Sequence, residues 1–383
     1  MNILIDNVST KNKGSELMLY AVLQEVERKY PNATVWLPKF SIPEGVPYIK
    51  TTMNCKQRKI SIIARIFKKV KGDAVLRRIF HIPYSYTTYK YPIKKLDLIL
   101  DAGGFQFSDQ FYYPGLYMPM RDNYYKTMKK QNTKIIFLPQ AFGPFETKDG
   151  KEQTQLLKKY ADCIIAREEI SYNHLANAGL DKKKMLLYPD FTALVDGVFS
   201  DRFKDIKNGI AIIPNLRMID KGVISRKDYI DIVVKVITIC KTSKRTIFFL
   251  NDEGKGDFML CEDINNNLFE KLPIVSNLNA LEVKGIIAQC YFIFSSRFHG
   301  IVSALNSGVP CLATSWSHKY KMLFKDYNME GCAFDPNNSD FFYNKLKEFL
   351  NEDYNNIIRN KLITKAEEIK IANREMWQKV WSV

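Results

Sequence analysis

Runs of three to five apolar residues recur along the chain, each closed by small or charged residues and most of them followed by a stretch with helical spacing. The first is Ile3-Leu4-Ile5; after Asp6-Asn7 and a polar, glycine-containing turn, Leu17, Tyr20, Ala21 and Val26 mark a helix over Glu16 to Tyr30. The same grammar appears in LDLILDAGG (96–104), in TKIIFLPQAFGP (133–144) and in ADCIIAREE (161–169), the last leading into a helix to about Ala178. Continuous apolar runs without alternation belong to strands covered on both faces, which means a parallel sheet. The polar segment DGVFSDRFKDIKN (196–208) has no strong period and reads as a linker. A second series follows: GIAIIPNLR (209–217), a helix over Tyr229 to Thr242, TIFFLND (246–252), CYFIFSSRFHG (290–300), a helix from Gly300 to about Ser307, and VPCLATS (309–315). The pattern predicts an α/β fold class: two Rossmann-like, doubly wound domains, 1–195 and 205–383, facing a cleft, with ligands beyond the carboxyl ends of the strands.

Composition changes this picture in one respect. The chain has 383 residues, 46% hydrophobic and 26% charged, which suits two well-cored domains and excludes disorder. Its 57 Lys plus Arg against 41 Asp plus Glu leave a formal charge of +16, which favours an anionic partner: a phosphorylated small molecule, nucleic acid or an acidic membrane face. The segment 56–80 holds nine basic residues and one acid, interleaved with isoleucines and other apolar residues. That pattern fits a basic amphipathic helix on an anionic membrane, and equally an excursion packed on the first domain with solvated lysines. Aromatic residues are too sparse there for a nucleic-acid surface. Seven scattered cysteines without C-x-x-C spacing point away from disulfides and zinc and towards a reducing, cytoplasmic setting. No secretory leader and no bilayer-length apolar run is visible in the sequence.

Candidate chemistry gathers at strand ends. The strand CYFIF delivers Ser296, Arg297, Phe298 and His299 to a point where a helix begins, so that a guanidinium, an imidazole and free helix N–H groups converge on an anion. Arg167 follows CIIA and Arg217 follows AIIPNL in the same kind of position; three strand-end arginines suit a ligand with two anionic groups. Gly14-Ser15 and Gly103-Gly104 allow close backbone approach to that ligand, and His318-Lys319 stands after the last clear strand. Each of these residues has a bland reading as a local cap, pair or turn. The sequence carries neither a P-loop nor a dinucleotide fingerprint, and its histidines, at 81, 174, 299 and 318, show no metal-ligand spacing.

The ordered set NKGSELML, DAGGF, LPQAFGPF, AREEISYNHL, YPD, SSRFHGIVSALNSGVPCLATSW and HKYKM resembles the polysaccharide pyruvyl transferase family, from residue 2 to about residue 325. Ser15 stands where the family often has an acidic residue. The resemblance implies a GT-B type arrangement and transfer of the enolpyruvyl group of phosphoenolpyruvate to a sugar of a surface polysaccharide or its lipid-linked precursor, forming a pyruvate ketal without a metal or cofactor. It also implies donor-site roles for Arg297, His299 and Arg167, with Arg217, Gly103 and Gly104 as lesser contacts. The acceptor is then a saccharide, with a polyprenyl diphosphate carrier if 56–80 lies on the inner face of the membrane. Two alternatives stay open: a GT-B glycosyltransferase using a nucleotide sugar, and a non-catalytic binder of anionic saccharide or nucleic acid.

Overall fold

The computed structural model describes residues 1–37, 56–57, 89–90, 95–110, 117–314, 318–335 and 340–383, and all structural statements concern these. The chain divides into two compact units: Met1–Ser9, Val22–Tyr188 and Trp377–Val383 form the first, Thr10–Ala21 and Pro189–Met376 the second.

The first unit carries β1 (Asn2–Asp6), much of α1 (Lys13–Lys29), β2 (Thr34–Trp36), the two-residue strands β3 (Lys56–Gln57) and β4 (Tyr89–Lys90), and β5 (Leu98–Asp101). It continues with α2 (Tyr117–Lys130), β6 (Lys134–Gln140), α3 (Lys148–Tyr160), β7 (Cys163–Ala166), α4 (Glu169–Asn177) and β8 (Met185–Leu187). Six strands form one sheet in the order β2-β1-β5-β6-β7-β8, parallel throughout, while β3 and β4 pair antiparallel. All four residues of β5 and of β7 are buried, as the unbroken apolar runs require of strands covered on both faces. The core gathers Leu4, Ile99, Phe107, Phe137 and Ile164.

The second unit is built the same way from β9 (Ile210–Ile213), a single turn α5 (Arg217–Asp220), α6 (Arg226–Cys240), β10 (Ile247–Leu250), α7 (Gly254–Asn265), β11 (Ile274–Val275) and α8 (Ala280–Ala288). Then come β12 (Phe292–Ser295), α9 (Phe298–Asn306), β13 (Cys311–Thr314), α10 (His318–Asp326), β14 (Ala333–Phe334), α11 (Asp340–Leu350) and α12 (Glu352–Ser382). Its sheet order is β11-β10-β9-β12-β13-β14, again all parallel. Helix starts follow local chemistry. Ser225 caps α6 by accepting from the Asp228 N–H at 3.1 Å, and Asn279 with Glu282 forms a reciprocal capping box on α8.

The predicted boundary needs correction. Segment 196–208 is not a free linker: Gly197 lies backbone to backbone against Gly285 of α8, Val198 N–H donates to the Leu281 carbonyl at 2.8 Å, and Asp201–Ile206 forms a 3₁₀ turn. Two glycines allow this approach, since a β-carbon on either would run into the opposite backbone. The chain instead changes units at Tyr188/Pro189, and the end of α12 belongs to the first unit, where Trp381 stacks on Trp377 and meets the edge of Tyr30.

Six cysteines, at 163, 240, 261, 290, 311 and 332, are buried free thiols. No helix among the described residues is long and apolar enough to cross a membrane. Apart from the backbone of 56–57, the basic segment 56–80 lies outside the described residues, as does His81.

Candidate functional site

In the second unit the sheet grows from β9 through β10 to β11 and then, on the other side, from β12 through β13 to β14. The reversal falls between β9 and β12, where ligand crevices open in doubly wound sheets. Ser295 ends β12 in register with Ile213, the last residue of β9, and the next residues are Ser296, Arg297, Phe298 and His299. The helix starts two residues earlier than its apolar spacing predicts, so Arg297 is the N-cap and His299 lies in the first turn.

The turn holding these residues is bonded from within. Ser295 Oγ accepts from Arg297 N–H at 2.9 Å, and the Ser296 carbonyl accepts from Asn215 Nδ2 and from Tyr320 Oη, each at 2.8 Å. The Ser296 hydroxyl, fully buried, lies between the hydroxyls of Tyr229 and Thr314. Ser296, expected to touch substrate, therefore serves the scaffold.

Arg297 is engaged as well. Its side chain is largely buried, Nε donates to Asp257 Oδ2 at 2.7 Å, and the two terminal nitrogens pair with Asp257 and Glu253. Burial opposes the charge, but Asp257, Glu253 and Asp252 outweigh it and raise the pKa above the usual arginine value. A fork already filled by carboxylates positions the turn and is poorly placed to receive a substrate anion. Around it, burial raises the pKa of Asp257 despite Arg297, and pushes Asp252 up to about 6. Sequence reasoning passed over these acids, although NDEGKGD (251–257) directly follows an apolar strand.

His299 has two neighbours that matter. Its Nε2 lies 3.7 Å from Oδ2 of Asp190, a buried carboxylate whose Oδ1 accepts from the Thr192 N–H and hydroxyl. The Nδ1 edge of the ring lies against Gly14, where any β-carbon would overlap the imidazole. Gly14 thus makes room for the chain's own histidine, bringing the first turn of α1 to His299 from 285 positions away in sequence. Asn12 caps that turn, its Oδ1 accepting from the Ser15 N–H at 3.0 Å, and Lys13 pairs with Glu16 at 2.7 Å. Behind Asp190, buried Lys284 donates to the Thr192 carbonyl at 2.8 Å; burial lowers its pKa to about 8 against the pull of Asp190 and Asp196. Lys319 stands over the Phe298 ring at 5.0 Å, so α10 also contributes a cation beside the Arg-x-His turn; the side chain of His318 is outside the described set. Arg217 is not part of this cluster. It is more than half exposed at the start of α5, next to Asp220 at 3.7 Å.

The first unit has its own reversal, between β1 and β5, where Asp6 is in register with Asp101. Asp101 accepts from Asn7 Nδ2 (2.7 Å), Gln106 Nε2 (2.6 Å) and Gly103 N–H (3.1 Å), and burial, reinforced by Asp6, pushes its pKa up to about 6. Asp6 is raised by burial too, and accepts from Tyr124 Oη at 3.0 Å. A β-carbon on Gly103 would run into the Gln106 amide, so the glycine lets that side chain reach Asp101; the Gly104 carbonyl accepts from Ala141 N–H. Arg167 is buried at the end of β7, its N–H on the Gln140 carbonyl. Next to it Glu168 caps α4 by accepting from the Ser171 N–H, and Ser171 Oγ in turn accepts from Phe142 N–H at 2.7 Å. The A-R-E-E-x-S signature is in this part a helix start tied to a neighbouring loop. Among the described residues no group of three His, Cys, Asp or Glu is arranged to hold a metal.

Comparison with known proteins agrees with this geometry at the level of family. AmsJ, an amylovoran biosynthesis protein of Erwinia amylovora, is 17% identical over 373 residues, covering 87% of each chain. An uncharacterized 41.2 kDa protein in the cps region of Klebsiella pneumoniae is 24% identical over 147 residues, 37% of this chain and 41% of its own. Among solved structures, Anabaena HepE in complex with UDP and glucose covers all of both chains with a TM-score of 0.59 at 12% identity, a likeness of fold. The family described as polysaccharide pyruvyl transferase matches residues 12–318, a span that opens at the cap of α1 and closes at the start of α10, and the chain belongs to that family.

Proposed function

We propose that the protein transfers the enolpyruvyl group of phosphoenolpyruvate to two hydroxyls of one sugar in a surface polysaccharide or its lipid-linked precursor. The supporting observation is His299: a histidine in the first turn of α9, at a sheet reversal, with a buried carboxylate at one ring nitrogen and a helix start at the other edge. Asp190 places a carboxylate 3.7 Å from Nε2, within ion-pair reach of the ring, and a histidine is the side chain suited to give and recover a proton near neutral pH. In this scheme the imidazolium protonates the methylene carbon of the donor, and the oxocarbenium-like carbon is attacked by the first hydroxyl. The C–O bond to phosphate then breaks with its electron pair, and the second hydroxyl closes the ketal. Of the two hydroxyl protons, one restores the imidazolium and the other leaves with phosphate, so donor plus diol gives ketal plus inorganic phosphate. Cationic groups beside the site, Lys13 and Lys319, and the N-terminus of α1 stabilise the departing phosphate. The scheme needs no metal or cofactor.

The test is incubation with phosphoenolpyruvate and a lipid-linked saccharide fraction, reading phosphate release and the mass of the saccharide. Phosphate release that requires both substrates, with pyruvate gained by the saccharide, and loss of both in His299→Ala, is the expected outcome. Transfer of a sugar from UDP-glucose with no use of phosphoenolpyruvate would make the protein a glycosyltransferase instead.

A further inference from the structure

In the second unit a cleft of about 500 Å³ opens beyond the carboxyl ends of β10 and β11. Lys11, Lys13 and Lys255 line it, together with Asn251, Asp252 and Phe258. We infer that this cleft is a subsite for a phosphate ester, held by Lys11, Lys13 and Lys255 beside the histidine.

Four observations carry this. The cleft has the volume of a small-molecule site and three cationic side chains against one carboxylate. Lys13 lines it while the adjacent Gly14 lies on His299, so the cleft and the imidazole share the first turn of α1. Arg297, the cation that the Arg-x-His turn would otherwise offer, is held by two carboxylates, Asp257 and Glu253, whereas the cations lining the cleft are Lys11, Lys255 and Lys13, the last in an ion pair with Glu16. Finally, Asn251 Oδ1 is a buried acceptor without a hydrogen-bond partner, while its Nδ2 donates to the Gly254 carbonyl; a hydroxyl of the ligand would satisfy it. Gly254, another lining residue, opens α7 at φ +57, and a β-carbon there would meet nothing within 4 Å.

The phosphate has two chemical sources, the donor and a phosphate-linked acceptor. The identity of that phosphate rests on the pyruvyl-transfer reading; the existence of the subsite does not. Calorimetric titration of the full chain with phosphoenolpyruvate, and separately with inorganic pyrophosphate, decides between them. The variants are Lys255→Gln, the double variant Lys11→Gln with Lys255→Gln, and a control of equal charge change, Lys204→Gln with Lys227→Gln, both exposed residues outside the cleft. The double variant is expected to weaken binding by about tenfold or more while the control does not. Weakening for phosphoenolpyruvate assigns the cleft to the donor; weakening for pyrophosphate alone assigns it to the acceptor's phosphate. Affinities equal in parent and double variant, equal losses in double variant and control, or no binding of either probe to the parent, overturn the inference. A parent that binds pyrophosphate through these lysines yet releases no phosphate from phosphoenolpyruvate when the lipid-linked saccharide fraction is present keeps the subsite and sinks the pyruvyl-transfer reading.

Discussion

Gly14 and Asp190 set the two edges of His299, and neither owes its importance to its own reactivity. In Gly14→Ala the methyl group has to displace the imidazole. Alanine is the better helix former by about 1 kcal/mol, so a net loss of about 1–3 kcal/mol in a denaturant melt would isolate the steric conflict, and turnover is expected to fall with it. Asp190→Asn removes the carboxylate but keeps the shape; kcat should drop on the order of 10²-fold with little change in affinity for phosphoenolpyruvate. An unchanged kcat would take Asp190 out of the chemistry. Asp252 gives a pH-dependent prediction. Its folded pKa of about 6 stands above the unfolded value, so the folded state holds a proton that the unfolded chain has lost. The stability this contributes is complete at low pH and disappears as pH rises through about 6. Asp252→Asn should therefore match the parent in shape at pH 4 and gain on it by about 1–3 kcal/mol by pH 8, measured by denaturant melts across that range. Of these residues, His299 and Gly14 are visible in the sequence because they sit in short polar interruptions of apolar segments. Asp190 is visible only as part of YPD, and its pairing with a residue over 100 positions away leaves no local trace.

At the scale of elements, what was legible is what depends on nearby residues. The strands β1, β5, β6, β7, β9, β10, β12 and β13 all fall on apolar runs, because a strand covered on both faces is built mainly from apolar residues. Two further elements left readable signals. The capping pair Asn279-x-x-Glu282 announces α8, and the buried series Ile358, Leu362, Ala366, Ile369, Asn373, Met376 and Val380 announces α12 at helical spacing. The linker reading of 196–208 failed for a tertiary reason, since polarity there coexists with a glycine contact on α8 that only the fold reveals. Phe294 tests the strand that delivers the Arg-x-His turn. It is fully buried in β12 with its ring against Phe334 and Phe342, so Phe294→Ala should cost about 3–5 kcal/mol in a denaturant melt. A cost below about 1 kcal/mol would mean that β12 is not packed as described.

For the whole molecule, two parallel α/β units and a surplus of cations are the features that composition and pattern announce. Which cations matter is not announced. Arginines draw the eye as anion ligands, yet Arg297 is taken by Asp257 and Glu253, and Arg217 is an exposed residue beside Asp220. The lysines of a cleft assembled from three separate segments become a group only when the chain folds. The direct test of pyruvyl transfer is whether phosphoenolpyruvate binds the folded protein, because binding can be read before the acceptor is known. Thermal unfolding with saturating phosphoenolpyruvate, beside UDP and UDP-glucose, reads this in one experiment. At a hundred times the dissociation constant the donor should stabilise the protein by about 2.7 kcal/mol, raising the midpoint by a few degrees, with no comparable rise from UDP. A rise with UDP or UDP-glucose and none with phosphoenolpyruvate would contradict pyruvyl transfer.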